Sequence, residues 1–383
     1  TLAAWLAFGQ PFDFALERMV TVMVITCPHA LGLAVPLVVA VSTSLAAGRG
    51  LLIRDRAGFE RARQIDTVVF DKTGTLTEGR FGVREVATIG DDIGEDEVVR
   101  LAAGLEDNSA HPIARGIVAE ARSRGLEIPT AQDFENLPGR GVQARVEDRT
   151  LRVVGPNYLS ANEIKVDASA VEPLRQGGNT LVYLLDQERV LGAIALADVV
   201  REASHEAVQR LEEMGVSCMM LTGDAEAVAE SVARELGLEE YFAEVLPNDK
   251  AARIKEVQQL GRKVAMVGDG VNDAPALVQA DLGIAIGAGT DVAVESADVV
   301  LVNSDPRNVA DVIALSRATY GKMLQNLFWA TGYNAVAIPL AAGVGYTFGL
   351  LLNPAVGAAL MSLSTVIVAI NAKLLWRPRG ERG

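Results

Sequence analysis

Charged residues are absent from two long stretches of the chain, Met19–Gly48 and Met323–Ala372, and frequent elsewhere. A helix that crosses a bilayer takes about 20 apolar residues. The first stretch therefore predicts one membrane helix, set at 14–48. The second predicts two, within 323–376, with a turn over Gly343–Pro354 marked by Gly345, Gly349 and the Asn353-Pro354 pair. Residues 1–8 have the pattern of the end of another apolar helix. With Thr rather than Met in first place, the expectation is the C-terminal part of a longer protein. Basic residues flank the stretches on one side: Arg49, Arg54 and Arg56, then Arg317 and Lys322, then Lys373, Arg377 and Arg379. These ends are expected to face the cytoplasm of a multi-pass protein of the cell membrane, with Asp13 and Glu17 opposite.

Between the apolar stretches the pattern changes to short runs separated by helical segments. Thr67–Phe70, Cys218–Leu221, Val264–Val267 and Leu282–Ile286 read as buried parallel strands, and His205–Met214 and Ala225–Leu236 as helices. This predicts an open α/β sheet whose ligands gather at the carboxyl ends of the strands. The sheet domain is expected over 49–81 and 188–320, with an inserted domain over 82–187. The run Leu191–Leu196 is expected to bring the chain back to the sheet. Half of the residues are hydrophobic, which excludes disorder. The net charge of −14, from 35 basic and 49 acidic residues, argues against a nucleic-acid partner. Two cysteines, Cys27 and Cys218, give no disulfide framework.

The chemistry begins directly after the first strand, at Asp71-Lys72-Thr73-Gly74-Thr75-Leu76-Thr77. A carboxylate at a strand tip can attack a phosphoryl group, and the loop N–H groups with the Thr73 hydroxyl can hold its oxygens. Three further motifs follow later apolar runs or precede helices: Thr222-Gly223-Asp224, Pro247-Asn248-Asp249-Lys250, and Gly268-Asp269-Gly270-Val271-Asn272-Asp273. Together they resemble the P-type ATPases, whose phosphorylation sequence is DKTGT. The resemblance implies a haloacid-dehalogenase-like parallel-sheet phosphorylation domain in an α/β cytoplasmic headpiece, joined to membrane α-helical segments. It makes Asp71 the nucleophile and assigns Lys72, Thr73, Thr222, Gly223, Asp224 and Lys250 to the catalytic site. Asp269, Asp71 and the Thr73 carbonyl would hold Mg²⁺, with Asp273 in support, since Mg²⁺ takes hard oxygen ligands. Related phosphatases commonly carry a second Asp two residues after the nucleophile. Thr73 stands there and cannot do acid or base work, so the aspartyl phosphate is expected to persist. The family's actuator domain brings a Thr-Gly-Glu loop to that intermediate; no such loop occurs in this sequence.

The insert carries Glu106, Ser109-Ala110-His111-Pro112, Gly139-Arg140-Gly141 and Gly155-Pro156-Asn157. These resemble the nucleotide-binding domain of the heavy-metal (type IB) branch. They imply an ATP site of Glu106, His111, Gly139, Gly141 and Asn157. In the first apolar stretch lies Cys27-Pro28-His29. Proline removes a helical donor and leaves the Val24 carbonyl without its partner, and a thiol beside an imidazole selects copper or zinc over hard cations. Cys-Pro-x marks the heavy-metal branch, and Cys-Pro-His its smaller copper-exporting subgroup. Tyr333-Asn334 and Met361-Ser362-Leu363-Ser364-Thr365 resemble that subgroup's signatures, which makes Asn334, Met361, Ser364 and Thr365 further candidate ligands. The expected function is ATP-driven copper export through an aspartyl phosphate. The expected partners are the lipid bilayer, ATP, Mg²⁺, the copper ion (Cu⁺, Cu²⁺ or the mimic Ag⁺) and a copper chaperone. A membrane-anchored phosphatase and a non-catalytic metal sensor are the alternatives.

Overall fold

The computed structural model describes residues 1–90, 93–137, 140–166, 168–175, 178–269, 271–287 and 291–375, in two compact units. The first unit comprises Thr1–Gln64, Asp298–Val302 and the chain from Asn308 onward. Its helices are Leu2–Ala7, Phe12–Ile25, His29–Ala34, Pro36–Gly48, Arg56–Arg61, Arg307–Ala342 and Pro354–Lys373. The stretch expected as one helix over 14–48 is thus three. One break falls at Cys27-Pro28, as the proline requires, and a second falls before Pro36. At the first break the Val24 carbonyl is not left alone: the Cys27 N–H reaches it at 3.4 Å in a tightened turn. Small residues let the helices approach closely. Ile25 packs on Ala337 and Ala341, and Ala30 and Ala34 pack on Ala330 and Val368. Phe12–Gly48, taken across its breaks, and Pro354–Lys373 are long and apolar enough to cross a membrane. Arg307–Ala342 has 36 residues. Gln325, Asn326 and Asn334 lower the hydropathy of its uncharged half, where the second of the three spans was expected.

The second unit, Ile65–Ala297 with Asn303–Arg307, holds two sheets. Its parallel strands run in the spatial order Leu282–Ile286, Val264–Gly268, Thr67–Asp71, Ser217–Leu221, Glu240–Phe242. The four expected runs all fall in this sheet. Register sets Phe70 beside Val267 and Asp71 beside Leu221. The tips carrying Asp71, Thr222 and Asp269 therefore end side by side. Val69, Met219, Val264 and Met266 fill one face of this sheet with Ile254 and Leu277.

The other sheet is antiparallel, in the order Thr77–Thr88, Arg189–Val200, Thr180–Asp186, Arg149–Val154, Gly141–Val146, Gln132–Leu137. Helices Glu95–Glu106 and Pro112–Ser123 cover one face, and Leu159, Val171 and Leu174 belong to the core on the other. The run Leu191–Leu196 lies here, paired antiparallel with Thr77–Thr88, and does not rejoin the parallel sheet. Both faces of its strand are covered, so it has the continuous apolar run of a parallel strand without being one. The inserted sheet accordingly extends beyond the expected 82–187 at both ends.

Candidate active site

Asp71 ends its strand in extended backbone, and the chain turns at Gly74, whose φ is +77°. A Cβ at Gly74 would lie 2.0 Å from Asp269 Oδ2, so only glycine lets the loop pass this carboxylate. Lys250, at the start of helix Lys250–Gln259, places Nζ 2.5 Å from Asp71 Oδ1 and 2.7 Å from Asp273 Oδ1. One oxygen from each of Asp71, Asp269 and Asp273 lies within 4.8 Å of the others. Burial, reinforced by Asp273, raises Asp71 to about 7 against the pull of Lys250. Burial also raises Asp269, with Asp273 adding to it. For Lys250, burial works downward, but the two carboxylates outweigh it and hold the amine above its ordinary value.

Lys72 faces another set of partners: Nζ is 2.7 Å from Asp224 Oδ2 and 3.3 Å from Asp198 Oδ2. Asp198 Oδ2 also lies 2.6 Å from the Thr77 hydroxyl. Thr222 Oγ1 accepts the Asp224 N–H at 3.1 Å and is 3.0 Å from Asp224 Oδ2. Arg201 donates to the carbonyls of Thr77 and Gly74 at 3.0 and 3.1 Å, and the Ser204 hydroxyl donates to the Leu76 carbonyl at 2.8 Å. The loop after Asp71 is therefore held by its main chain, leaving the Asp71 carboxylate free of these contacts. Thr77 closes the DKTGTLT run, whereas Ser204 carries no motif that sequence reasoning could detect and acts through the fold. Lys72, Thr73, Asp198 and Asp224 line a cleft of about 460 Å³.

A second cleft of about 570 Å³ opens beside the antiparallel sheet and is lined by Glu106, His111 and Gly141. Glu106 is 6% exposed, with Oε2 buried and unpartnered. Burial raises it to about 7, partly offset by Ser109. His111 caps helix Pro112–Ser123, its Nδ1 accepting the Ile113 N–H at 3.3 Å. Gly141 has φ +142°, and a Cβ there would meet the Val153 carbonyl oxygen at 2.1 Å. Gly139 lies outside the described residues. Asn157 is exposed and off the lining, where Gly155 and Pro156 stand instead. Pro156 starts the helix there and Asn157 falls on its outer side. Asn108, Asn136 and Thr180 also line the cleft. Asn136 and Thr180 are brought there by sheet order alone, which no local motif announces.

In the membrane-length unit, Cys27 Sγ lies 3.0 Å from His29 Nδ1 across the helix break. Asn334 Oδ1 is buried with no partner. Ser364 is buried, and the Thr365 hydroxyl donates to the Met361 carbonyl at 3.2 Å. Among the described residues, no hydrogen bond joins Asn334, Met361, Ser364 or Thr365 to Cys27 or His29.

The family model for haloacid dehalogenase-like hydrolases matches residues 65–281. A copper-exporting P-type ATPase B of Archaeoglobus fulgidus is 63% identical over 375 residues, covering 98% of this chain and 54% of that protein. A probable copper-transporting P-type ATPase B of Staphylococcus aureus is 48% identical, covering 96% and 55%. The crystal structure of a zinc-transporting PIB-type ATPase in its E2.Pi state superposes with a TM-score of 0.84 at 35% identity, covering 98% of this chain and 60% of that one. The chain belongs to the haloacid dehalogenase-like hydrolases, in their P-type ATPase branch, and spans about half the length of the curated relatives it matches.

Proposed function

We propose that this chain is the phosphorylating and metal-binding part of an ATP-driven copper exporter. The observation that carries the reading is Lys250 set between Asp71 and Asp273 at the tips of parallel strands. With Oδ1 held by Lys250, Asp71 Oδ2 attacks the γ-phosphorus of ATP. The bond from phosphorus to the bridging oxygen breaks, and its electron pair leaves with ADP. Thr222 and the loop N–H groups receive the transferred oxygens, and Lys250 balances charge growing on them. Thr73 supplies no base to activate water, which favours a lasting aspartyl phosphate over a phosphatase cycle.

Asp71 and Asp269, hard oxygens at neighbouring strand tips, fit Mg²⁺, with Asp273 kept in place by Lys250. When bound, the ion neutralises phosphate charge. The cleft at Glu106, His111 and Gly141 suits the base of the nucleotide. Cys27 and His29, 3.0 Å apart at a helix break, suit copper by softness, with Asn334, Met361, Ser364 and Thr365 as further donors. Export of a cation from a cell that is negative inside costs about 2.3 kcal/mol per charge per 100 mV, which phosphoryl transfer offsets. In this reading the protein is multi-pass, its catalytic unit is cytoplasmic, and a copper chaperone can deliver the ion.

The test is acid-stable labelling of membranes carrying the protein by radiolabelled ATP with Mg²⁺ and Cu⁺, Cu²⁺, Zn²⁺ or no metal. Copper-dependent label that disappears in Asp71→Asn and in Cys27→Ala is expected. Label indifferent to metal points to a phosphatase, and no label with Asp71 intact points to a sensor.

A further inference from the structure

One run of hydrogen bonds crosses three helices of the membrane-length unit. Lys322 Nζ donates to Asn371 Oδ1 at 2.9 Å, Asn371 Nδ2 donates to Asn326 Oδ1 at 2.8 Å, and Asn326 Nδ2 donates to the Ala34 carbonyl at 3.1 Å. Asn326 is fully buried. The run starts at an ammonium and each amide dipole follows the last, so the bonds strengthen one another in a low dielectric.

Its end point is informative. Ala34 closes the six-residue helix His29–Ala34, which is bounded by Pro28 and Pro36. Each proline interrupts the main-chain ladder, so this segment is tied weakly to the helices before and after it. Its own Ala30 and Ala34 pack on Ala330, Val368 and Leu327 through apolar contacts, which carry no directional preference. The Asn326 amide is therefore its directional anchor, and the same short helix carries His29, 3.0 Å from Cys27 Sγ.

We infer that Asn326, held by Asn371 and Lys322, is a positioning residue for the Cys27–His29 metal site: it fixes the short helix so that imidazole and thiol converge. This rests on the copper reading above. Residues that orient metal ligands typically change metal affinity by about 10- to 100-fold when lost. A group that only glued helices together would lower the amount of folded protein without changing its response to metal.

The experiment uses the protein in membranes. It measures the Cu⁺ and Cu²⁺ concentrations that half-saturate labelling from ATP, and in detergent the absorption spectrum with Co²⁺ as an optical probe. In Asn326→Ala, half-saturation should need about tenfold more copper or beyond. Label at saturating copper should recover, and the thiolate-to-Co²⁺ band should shift. Asn326→Asp keeps the acceptor for Asn371 but loses the donor to Ala34, and should behave like Asn326→Ala. Asn371→Ala acts one step away and should give a smaller rise, which keeps the test open if Asn326→Ala fails to fold. Unchanged half-saturation and an unchanged Co²⁺ band in Asn326→Asp and Asn371→Ala overturn the inference while the copper reading stands. A wild type that binds neither copper nor Co²⁺ overturns both.

Discussion

Removing Lys250 tests whether the charge balance drawn for the proposed phosphorylation site is right. Its amine pairs with both Asp71 and Asp273, at 2.5 and 2.7 Å, and both carboxylates are more than nine-tenths buried. Breaking such a buried set by deleting one partner costs about 3–5 kcal/mol. For a unit of this size each kcal/mol moves the unfolding midpoint by about 2–4 °C, so Lys250→Ala should lower it by about 6–20 °C. The loss should depend on pH. Asp71 sits at about 7, above its ordinary 3.8, so ionising it in the folded state costs stability that grows through that interval and is complete above about 7. Without Lys250 its value climbs further and the cost goes on growing, so the gap between variant and wild type should widen from pH 6 to pH 8.5. Cys218 offers the assay: it is 7% exposed in the strand next to Asp71, and its labelling by a thiol reagent on heating reports opening of this sheet. Lys255→Ala, an exposed change on the same helix, is the control and should stay within about 0.5 kcal/mol of wild type. A Lys250→Ala midpoint no lower than that of Lys255→Ala at both pH values would refute the reasoning.

Gly141→Ala should cost at least about 1–3 kcal/mol from its backbone region alone. Because the new Cβ meets the Val153 carbonyl, the strand must move and ATP binding by isothermal titration should weaken. Glu106→Gln removes a group raised from its ordinary 4.5 to about 7. Its ionisation penalty is absent below about pH 4.5 and complete above about 7, so the variant should gain stability over wild type across that window and no more beyond it. Nucleotide affinity, which should change near pH 7 in the wild type, should be flat in the variant.

The parallel sheet was legible because four of its strands are apolar runs, three of them leading to a polar, chemistry-bearing residue, Asp71, Thr222 or Asp269, and parallel order then sets those tips together. The same cue misplaced Leu191–Leu196, since an antiparallel strand covered on both faces carries the same run. Cys27-Pro28 announced a helix break, while the break before Pro36 was masked by the apolar residues around it. In the cleft proposed for the nucleotide, Glu106, His111 and Gly141 sit at a helix end, a helix cap and a strand start, positions with local signatures. Asn136 and Thr180 reach it only through strand order, and the helix started by Pro156 turns Asn157 outward.

Adjacent residues of opposite charge, Asp71 and Lys72, do not neutralise one another. Asp71 is extended, and in extended backbone successive side chains point to opposite sides. Asp71 therefore meets Lys250 and Asp273, and Lys72 meets Asp224 and Asp198. The counter-charge of Asp71 comes from a residue 179 positions away in sequence, carried on the first turn of another helix. A neighbouring lysine would hold the carboxylate in every conformation of the loop. A lysine on a separate helix holds it only while that helix is docked, so the charge state of Asp71 follows the packing of Ile254 and Val257 against the sheet. On the proposed reading, an acyl phosphate formed there would inherit the same dependence. Its stability would then be set by how the unit is packed as well as by the chemistry of the bond, as a site that holds a phosphoryl group and releases it later would require.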